Sequence, residues 1–450
     1  MRFMPCLRTL LCTCVSALCL GSVAAQDLTL PLFSDSWQAT FSNPALYGRT
    51  AGKVTVGLPG VSNDLYAENV TYNQLTATRN GRRVLDLDLL PDLLEEQNTL
   101  RNESTVETLG LALRGERLAF GVYHRLRARV QFDYPRTLAE LVARGNGGFV
   151  GQTVEFAPGG YGTSYHEFGL GASLALTDNI HLGARVKYLS GVADVRTGPD
   201  PSLRLTTGEE NFALTLDQDA TLNSAGAVVY EGLDDVGLRD DILDFGTENF
   251  LGDNRGLAFD LGAFAEFGPL RLQVAANDLG ASIDWREDVT NLRFRGTRTF
   301  TGLDVLADAL NDSLSLATAL DSLRVTFDPT ESSEAYSADL PATYLVGAEY
   351  DLTERLTTGA LLVHYARPVR SETALALSVR YRLIDALTVG LNYNARRSAA
   401  ANLGGHLRLV LGPLDVLLAT DNLLTVLNQK DNTAAGVRLG ASLVFGRDED

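Results

Sequence analysis

The sequence predicts an all-β fold: a single transmembrane outer-membrane β-barrel of about fourteen antiparallel strands. Short helices are expected in its loops, and an N-terminal segment is a candidate plug for the lumen. Three observations predict this fold. Runs of about ten residues alternate between apolar and polar side chains, very short turns alternate with long connections, and an export signal opens a chain with no later stretch suited to a transmembrane helix.

Residues 1–25 have the form of a signal peptide. Two arginines precede an apolar run over residues 10–20, and small residues at 23–25 suit cleavage before Gln26. All four cysteines lie in this segment, so the mature chain would contain no disulfide, thiolate metal site or cysteine nucleophile. A membrane-anchoring helix is the alternative, but the run is short and ends in a cleavage-like triplet.

The stretch Leu375–Ala395 shows the strand pattern most clearly. Apolar residues occupy every second position from Leu375 to Leu383, and the alternation restarts at Leu387 after an interruption. Because successive side chains of a strand point to opposite faces, this pattern predicts two strands joined by a tight turn. The same alternation recurs at residues 117–132, 256–267 and 436–445.

Counting the turns gives the number of strands. Six short turns join twelve strands, and one strand near Lys53–Leu58, with Asn69–Leu75 as an optional extension, and one over Ala434–Phe445 bring the total to fourteen. The turns lie at residues 114–117, 177–180, 267–270, 352–355, 383–387 and 411–414. The resulting divisions are a signal at 1–25, a periplasmic or plug segment at 26–50, the barrel at 51–446 and an acidic tail at 447–450.

Alternation alone does not say which face of the barrel meets water, since a soluble periplasmic barrel would carry its apolar residues inward. Two points favour an apolar exterior in lipid. A barrel of this strand number has a lumen too wide for its own side chains to fill. Arg125, Arg127 and Arg129 share one face of one strand, which is unsuited to an apolar core.

Three loop segments carry helical signals. Asp86–Gln97 is acidic and expected to be partly helical, Pro135–Gly145 opens with proline and ends with glycine, and Leu303–Leu323 has apolar residues at helical spacing. These segments are interpreted as caps or plugs, or as amphipathic helices packed on a rim.

The polar face of the predicted strands collects many cations. Two interpretations remain open: the cations pair with plug acids such as Asp86, Asp88, Glu95 and Glu96, or their field favours anionic solutes. The candidate lumen-lining cations are Arg125, Arg127, Arg129, Arg185, Lys187, Arg271, Arg380, Arg382, Arg408 and Arg438.

Composition and motifs exclude several function classes. The net charge of −18 becomes −20 when the two arginines of residues 1–25 are removed, which argues against a nucleic-acid partner. The five histidines show no metal-ligand spacing, and no strand–loop–helix phosphate motif is present. Neither a cofactor nor an enzymatic activity is therefore predicted.

Several segments resemble a Bacteroidota family of outer-membrane barrels of unknown function, domain of unknown function 5723. Phe41–Gly48 resembles its N-terminal element, carried by Asn43, Pro44 and Ala45, which is similar to elements of FadL-like channels and PorV-like secretion barrels. The other segments that resemble the family are residues 52–63, 255–285, 340–362, 411–424 and 436–446. The resemblance implies an outer-membrane location in a Gram-negative-type envelope but supplies no activity.

The leading functional expectation is FadL-like passage of small or amphipathic solutes. The alternative is a non-transporting, PorV-like scaffold for secretion or envelope assembly. The expected partners are outer-membrane lipid, the barrel assembly machinery and, for the alternative, a secretion or envelope-assembly protein.

Overall fold

The computed structural model of the chain describes residues 28, 30–79, 82–209, 213–226, 228–230, 236–238, 252–300, 329–396, 402–420, 422–423 and 432–447. The expected signal peptide and the helix predicted over Leu303–Leu323 lie outside these residues. Fourteen antiparallel barrel strands are present in the described part. In chain order they are β1 (Gly52–Gly57 and Gly60–Ala67), β2 (Gln97–Arg114), β3 (Leu118–Pro135), β4 (Gly159–Thr177), β5 (Ile180–Thr197), β6 (Arg255–Phe267), β7 (Leu270–Trp285), β8 (Tyr336–Asp339 and Ala342–Asp351), β9 (Leu356–Ala366), β10 (Glu372–Ile384), β11 (Leu387–Arg396), β12 (Asn402–Leu411), β13 (Leu414–Thr420) and β14 (Ala434–Arg447).

The sheet closes on itself because β1 pairs on one side with β2 and on the other with β14. Val54 lies opposite Leu113 in one ladder and opposite Phe445 in the other. The predicted closed barrel of fourteen strands is therefore confirmed, and so are the six short turns, which define a turn rim. The longer connections define the opposite loop rim.

Two strand boundaries differ from the prediction. The first strand continues through Gly60–Ala67 after an interruption that contains Pro59, and not through 69–75, which form turns. Proline has no backbone donor for the ladder, which explains the break. The last strand reaches Arg447, so the predicted tail begins one residue later, outside the described residues.

Side chains separate by parity into an apolar exterior and a polar interior. Leu377 and Leu391 point outward and are 47% and 51% exposed, whereas their neighbours Ser378 and Asn392 are 5% and 1% exposed. Phe267, Tyr350, Tyr381 and Phe445 are also exposed and lie close to the turn rim. The face occupied by leucine in Leu375–Ala395 is therefore the outer surface of the barrel.

The loop rim carries an additional sheet and a small cap. The sheet continues from the end of β5 through Leu214–Gly226 and Thr290–Phe300. The helix predicted at Pro135–Gly145 is confirmed as Arg136–Arg144, with Gly145 at its end in a left-handed conformation (φ 71°). The remaining loop strands are Thr76–Arg79, Arg82–Leu85, Thr153–Glu155, Ser202–Thr207, Val228–Tyr230, Val236–Leu238 and Thr330–Ser332.

The acidic segment Asp86–Gln97 is partly helical, as predicted. It contains the short helices Leu87–Leu89 and Leu90–Leu93 before β2 begins. Leu94 packs with Val70 and Ala139 in an apolar cluster at the loop rim. This segment is therefore part of a cap on the rim and not a plug in the lumen.

The lumen is occupied by residues 28 and 30–50, which we call the plug. The plug forms three short 3-10 helices, Leu30–Leu32, Gln38–Phe41 and Pro44–Arg49. Its apolar side chains are buried against the barrel interior, which explains how a lumen too wide for wall side chains alone is filled. The buried apolar plug residues are Leu28, Leu30, Leu32, Phe33, Trp37, Ala39, Phe41, Ala45, Leu46 and Tyr47.

Glycines on the inner face of the wall provide space for the plug's large side chains. A Cβ atom at Gly110 would lie 2.1 Å from the Trp37 ring, and one at Gly121 would lie 2.1 Å from the Tyr47 ring. No real Cβ contact is that short, so larger residues at these two positions would displace the plug. Inward glycine in these strands is thus explained by close approach of the plug.

Candidate functional site

The Asn43-Pro44-Ala45 element fixes the plug to β6 and β7. Asn43 is fully buried, and its Nδ2 donates to the carbonyl oxygen of Ala263 at 3.1 Å. Its Oδ1 accepts from the backbone N–H of Ala45 at 3.0 Å and caps the helix Pro44–Arg49. Proline is accommodated at the first helical position because no donor is needed there.

Arg185 of β5 joins the plug to the wall. Its Nη2 pairs with Asp260 of β6 at 2.6 Å and donates to the carbonyl of Phe41 at 2.9 Å. Its Nη1 donates to the carbonyl of Thr40 at 2.8 Å. Both charged side chains are fully buried, and removing Asp260 would leave Arg185 buried without its carboxylate partner.

The three arginines of β3 point into the lumen together but differ in their partners. Arg125 and Arg127 bind the two carboxylate oxygens of Glu167 of β4 at 2.5 Å and 3.0 Å. Among the described residues, Arg129 has only loose ion pairs, at 3.6 Å to Asp278 and 3.9 Å to Glu103. The row thus combines two firmly bound cations with one that is weakly compensated.

Lys187 of β5 completes the central ion-pair network. Its Nζ lies 2.6 Å from Asp278 and 2.8 Å from Asp260. Asp278 has a φ of 60°, and its backbone N–H donates to Asp260 at 2.7 Å. The register of β7 shifts in this region, and the irregular backbone brings Asp278 to the inner face of the barrel.

Four of the remaining predicted cations pair with other carboxylates. Arg271 and Arg380 both pair with Glu349. Arg438 pairs with Glu107, and Arg408 binds Asp415 at 2.7 Å and Asp35 of the plug at 2.6 Å.

Arg382 departs from the predicted lumen-lining set. It has the inward parity of β10 but lies two residues from the strand end, where it is exposed and donates to the carbonyl of Glu354 at 2.8 Å. The other nine predicted cations each pair with a carboxylate in the described part of the chain.

The acids that pair with these cations come from the wall and, at Asp35, from the plug. The prediction that Asp86, Asp88, Glu95 and Glu96 supply them is wrong, because their segment caps the loop rim and the last three are exposed. Sequence reasoning missed Glu167, although the alternation of β4 gives it inward parity. It missed Asp278 because a bulge disrupts the parity from which faces are inferred.

A partly open cavity of about 70 Å³ lies between the plug and the wall. The plug contributes Leu30, Pro31 and Phe41, which make one side apolar. The cationic residues that line the cavity are Arg125, Arg127, Arg129, Lys187 and Arg367, and its acidic residues are Glu103 and Asp278. The cavity is therefore amphipathic, with an excess of positive charge on its wall side.

Metal chemistry and transmembrane helices find no support in the described residues. No group of three or more His, Cys, Asp or Glu side chains there could hold a metal ion. His124 and His166, which sequence spacing did not associate, approach to 3.1 Å between ring nitrogens. None of the helices described is long and apolar enough to cross a membrane.

Fold and lumen together define a β-barrel whose interior is closed by an N-terminal plug and a network of ion pairs. The chain belongs to a family of unknown function, DUF5723, whose model matches residues 44–421. The resemblance inferred from the sequence is confirmed at the level of this family.

Comparison with solved structures finds other barrels at low identity. The P. putida toluene transporter TodX is 10% identical, with a TM-score of 0.44 over 95% of this chain and 96% of that chain. A Pseudomonas aeruginosa FadL homologue is 13% identical, with a TM-score of 0.43 over 94% and 99%. The translocator domain of the autotransporter NalP from Neisseria meningitidis is 9% identical, with a TM-score of 0.31 over 88% of both chains. No curated protein matches the chain.

Proposed function

We propose that this protein is an outer-membrane barrel through which small or amphipathic solutes pass when the plug moves. Its outward leucines and the aromatic residues near the turn rim suit a lipid environment. The same surface in water would expose a continuous apolar belt around the barrel, which soluble proteins avoid.

The observation that carries the proposal is the way in which the plug is held. In the described part of the chain, no backbone hydrogen bond joins the plug to a barrel strand. Side-chain contacts such as those of Asn43, Arg185 and Arg408 hold it in place. Moving the plug therefore breaks these contacts without opening the ladder that closes the barrel.

A second candidate is the non-transporting scaffold, and the filled lumen favours it. In the described part of the chain, the plug and the ion pairs fill much of the lumen and leave a partly open cavity of about 70 Å³ between plug and wall. In a scaffold this filling would be permanent, and the surface of the barrel would perform the function. The two candidates thus differ in whether the plug has to move.

A disulfide between plug and wall distinguishes the candidates. A Cβ atom at Gly48 of the plug would lie 2.8 Å from the Ser173 side-chain oxygen of β4, so a Gly48→Cys/Ser173→Cys pair is well placed to form a bond. A Cβ at Gly359 of β9 has the same 2.8 Å separation from the Ser378 oxygen of β10. Gly359→Cys/Ser378→Cys is therefore a matched control that joins two wall strands. Without residues 1–25 the chain has no native cysteine to interfere.

The readout is the flux of 1-naphthalenesulfonate, a permanently charged amphipathic anion, into proteoliposomes. We expect oxidation of the plug-to-wall pair to reduce flux to that of protein-free vesicles, and reductant to restore it. The control pair should conduct in both states. Equal flux with the plug locked and released would refute a path past the plug, and no flux in any variant would favour the scaffold.

A further inference from the structure

Arg129 is a buried cation with unused hydrogen-bonding capacity. Only 4% of the residue is exposed, and its buried Nη1 has no hydrogen-bond partner among the described residues. Its ion pairs with Asp278 and Glu103 are 3.6 Å and 3.9 Å long, outside the range of a charge-assisted hydrogen bond. Its charge is therefore only loosely compensated, and one of its buried donors lacks the hydrogen-bond partner that buried polar groups normally have.

Arg367 shows the same feature on the opposite side of Glu103. Its side chain is 1% exposed, it pairs with Glu103 at 3.0 Å and with Glu372 at 3.5 Å, and its buried Nε has no partner in the described part of the chain. Both arginines line the cavity between plug and wall. Each of them thus brings an unused guanidinium donor to this cavity.

The charge of the lining favours an anion there. Five cationic residues and two acidic residues line the cavity. Glu167 lies behind this lining and is fully occupied by Arg125, Arg127 and the hydroxyl of Tyr123. Arg125 and Arg127 also keep a buried Nε without a partner in the described part of the chain, but both bind Glu167 firmly. With ion pairs of 3.6 Å and 3.9 Å, Arg129 lacks, among the described residues, the close pair of 3.0 Å or less that each of the other four cationic residues makes, so its charge is the least compensated.

The size of the cavity limits the anion that it can hold. An apolar cavity of about 150 Å³ accommodates benzene. The lumen cavity, at about 70 Å³, is less than half that size. This volume suits a few water molecules or an oxyanion of the size of acetate or phosphate better than an aromatic ring or an alkyl chain.

We propose that Arg129, supported by Arg367, binds a small oxyanion of the carboxylate or phosphate type in this cavity. The inference deepens the proposed function and rests on it for the role of the anion in passage. The binding itself needs no plug movement, because the cavity exists in the closed barrel. A larger solute could present only its anionic group to Arg129 after the plug has moved.

Calorimetric titration of the folded protein in non-ionic detergent tests the proposal, with sodium acetate and inorganic phosphate as separate probes. We expect at least one of them to bind the wild-type barrel and Arg129→Gln to weaken that binding about tenfold or more. Arg271→Gln removes a luminal arginine outside this cavity and should change the affinity less than about twofold, within the spread of indirect effects. The probe that binds identifies the anion as carboxylate or phosphate.

Two further experiments distinguish a loss of binding from a loss of folding and from a movement of the plug. If Arg129→Gln does not fold, as judged by loss of the mobility shift on boiling, Arg129→Lys retains the charge without Nη1 and should still weaken binding. The oxidised Gly48→Cys/Ser173→Cys barrel should bind the small anion but not benzoate. Wild-type affinity in the Arg129 variants, or no binding of either probe, would overturn the proposal and indicate a water-filled cavity. Binding without flux would overturn the proposed function instead.

Discussion

Single charged residues in this lumen are stabilised by partners on neighbouring strands and on the plug. Asp35 and Arg408 show how one contact fastens the plug near the turn rim. Arg408 donates to Asp35 of the plug at 2.6 Å and to Asp415 of β13 at 2.7 Å. Asp35 is half-exposed, and the partial loss of its hydration in the lumen raises its pKa, but the charge and hydrogen bond of Arg408 outweigh this effect and lower the pKa to about 2.

This contact makes the attachment of the plug to the barrel wall depend on pH. Because the pKa of Asp35 is lower in the folded state than its ordinary 3.8, the contact stabilises the plug above about pH 4 and is lost as pH falls towards 2. We expect the reaction of a thiol-specific reagent with Gln38→Cys, which is buried in the plug, to accelerate as pH falls through this window, after correction for thiol ionisation. Asp35→Asn should remove that dependence, and an identical pH profile in both proteins would contradict the role of Asp35.

Within a single strand, alternate side chains face the outer surface of the barrel and the lumen. Along β10 the outward residues Leu377 and Leu383 are 47% and 45% exposed, yet they differ in position. Leu377 lies in the middle of the strand and Leu383 next to the turn. In a bilayer these positions differ in depth, whereas in a soluble barrel both would simply be on the surface.

The same substitution at the two positions therefore separates the two environments. We expect Leu377→Arg to lower the free energy of unfolding by ~2–4 kcal/mol and Leu383→Arg by ~0–1 kcal/mol, because the cost of arginine rises towards the bilayer midplane. Urea unfolding in lipid vesicles measures both. Equal costs would indicate that β10 does not cross a bilayer in this orientation.

At the scale of the whole molecule, the number of strands and the face of the sheet on which each side chain lies could be predicted, because alternation and short turns are local signals. The plug's position could not, since Trp37 meets Gly110 and Asn43 meets Ala263 only after the barrel has closed. The Asn43-Pro44-Ala45 element was found through family resemblance, but its capping and wall contacts come from the structure. The unequal roles of Arg125 and Arg129 were also hidden, because identical parity does not reveal which acid each one reaches.

The measurement that tests the central claim most directly is the quenching of tryptophan fluorescence by lipids brominated near the bilayer centre. The claim is that the leucine face meets lipid while the charged face encloses the plug. Both native tryptophans, Trp37 and Trp285, are buried inside the barrel. We therefore predict little quenching of the wild-type protein and strong quenching of the fluorescence added by Leu377→Trp. Strong quenching of the wild-type protein, or none of the tryptophan added at 377, would contradict this assignment of faces.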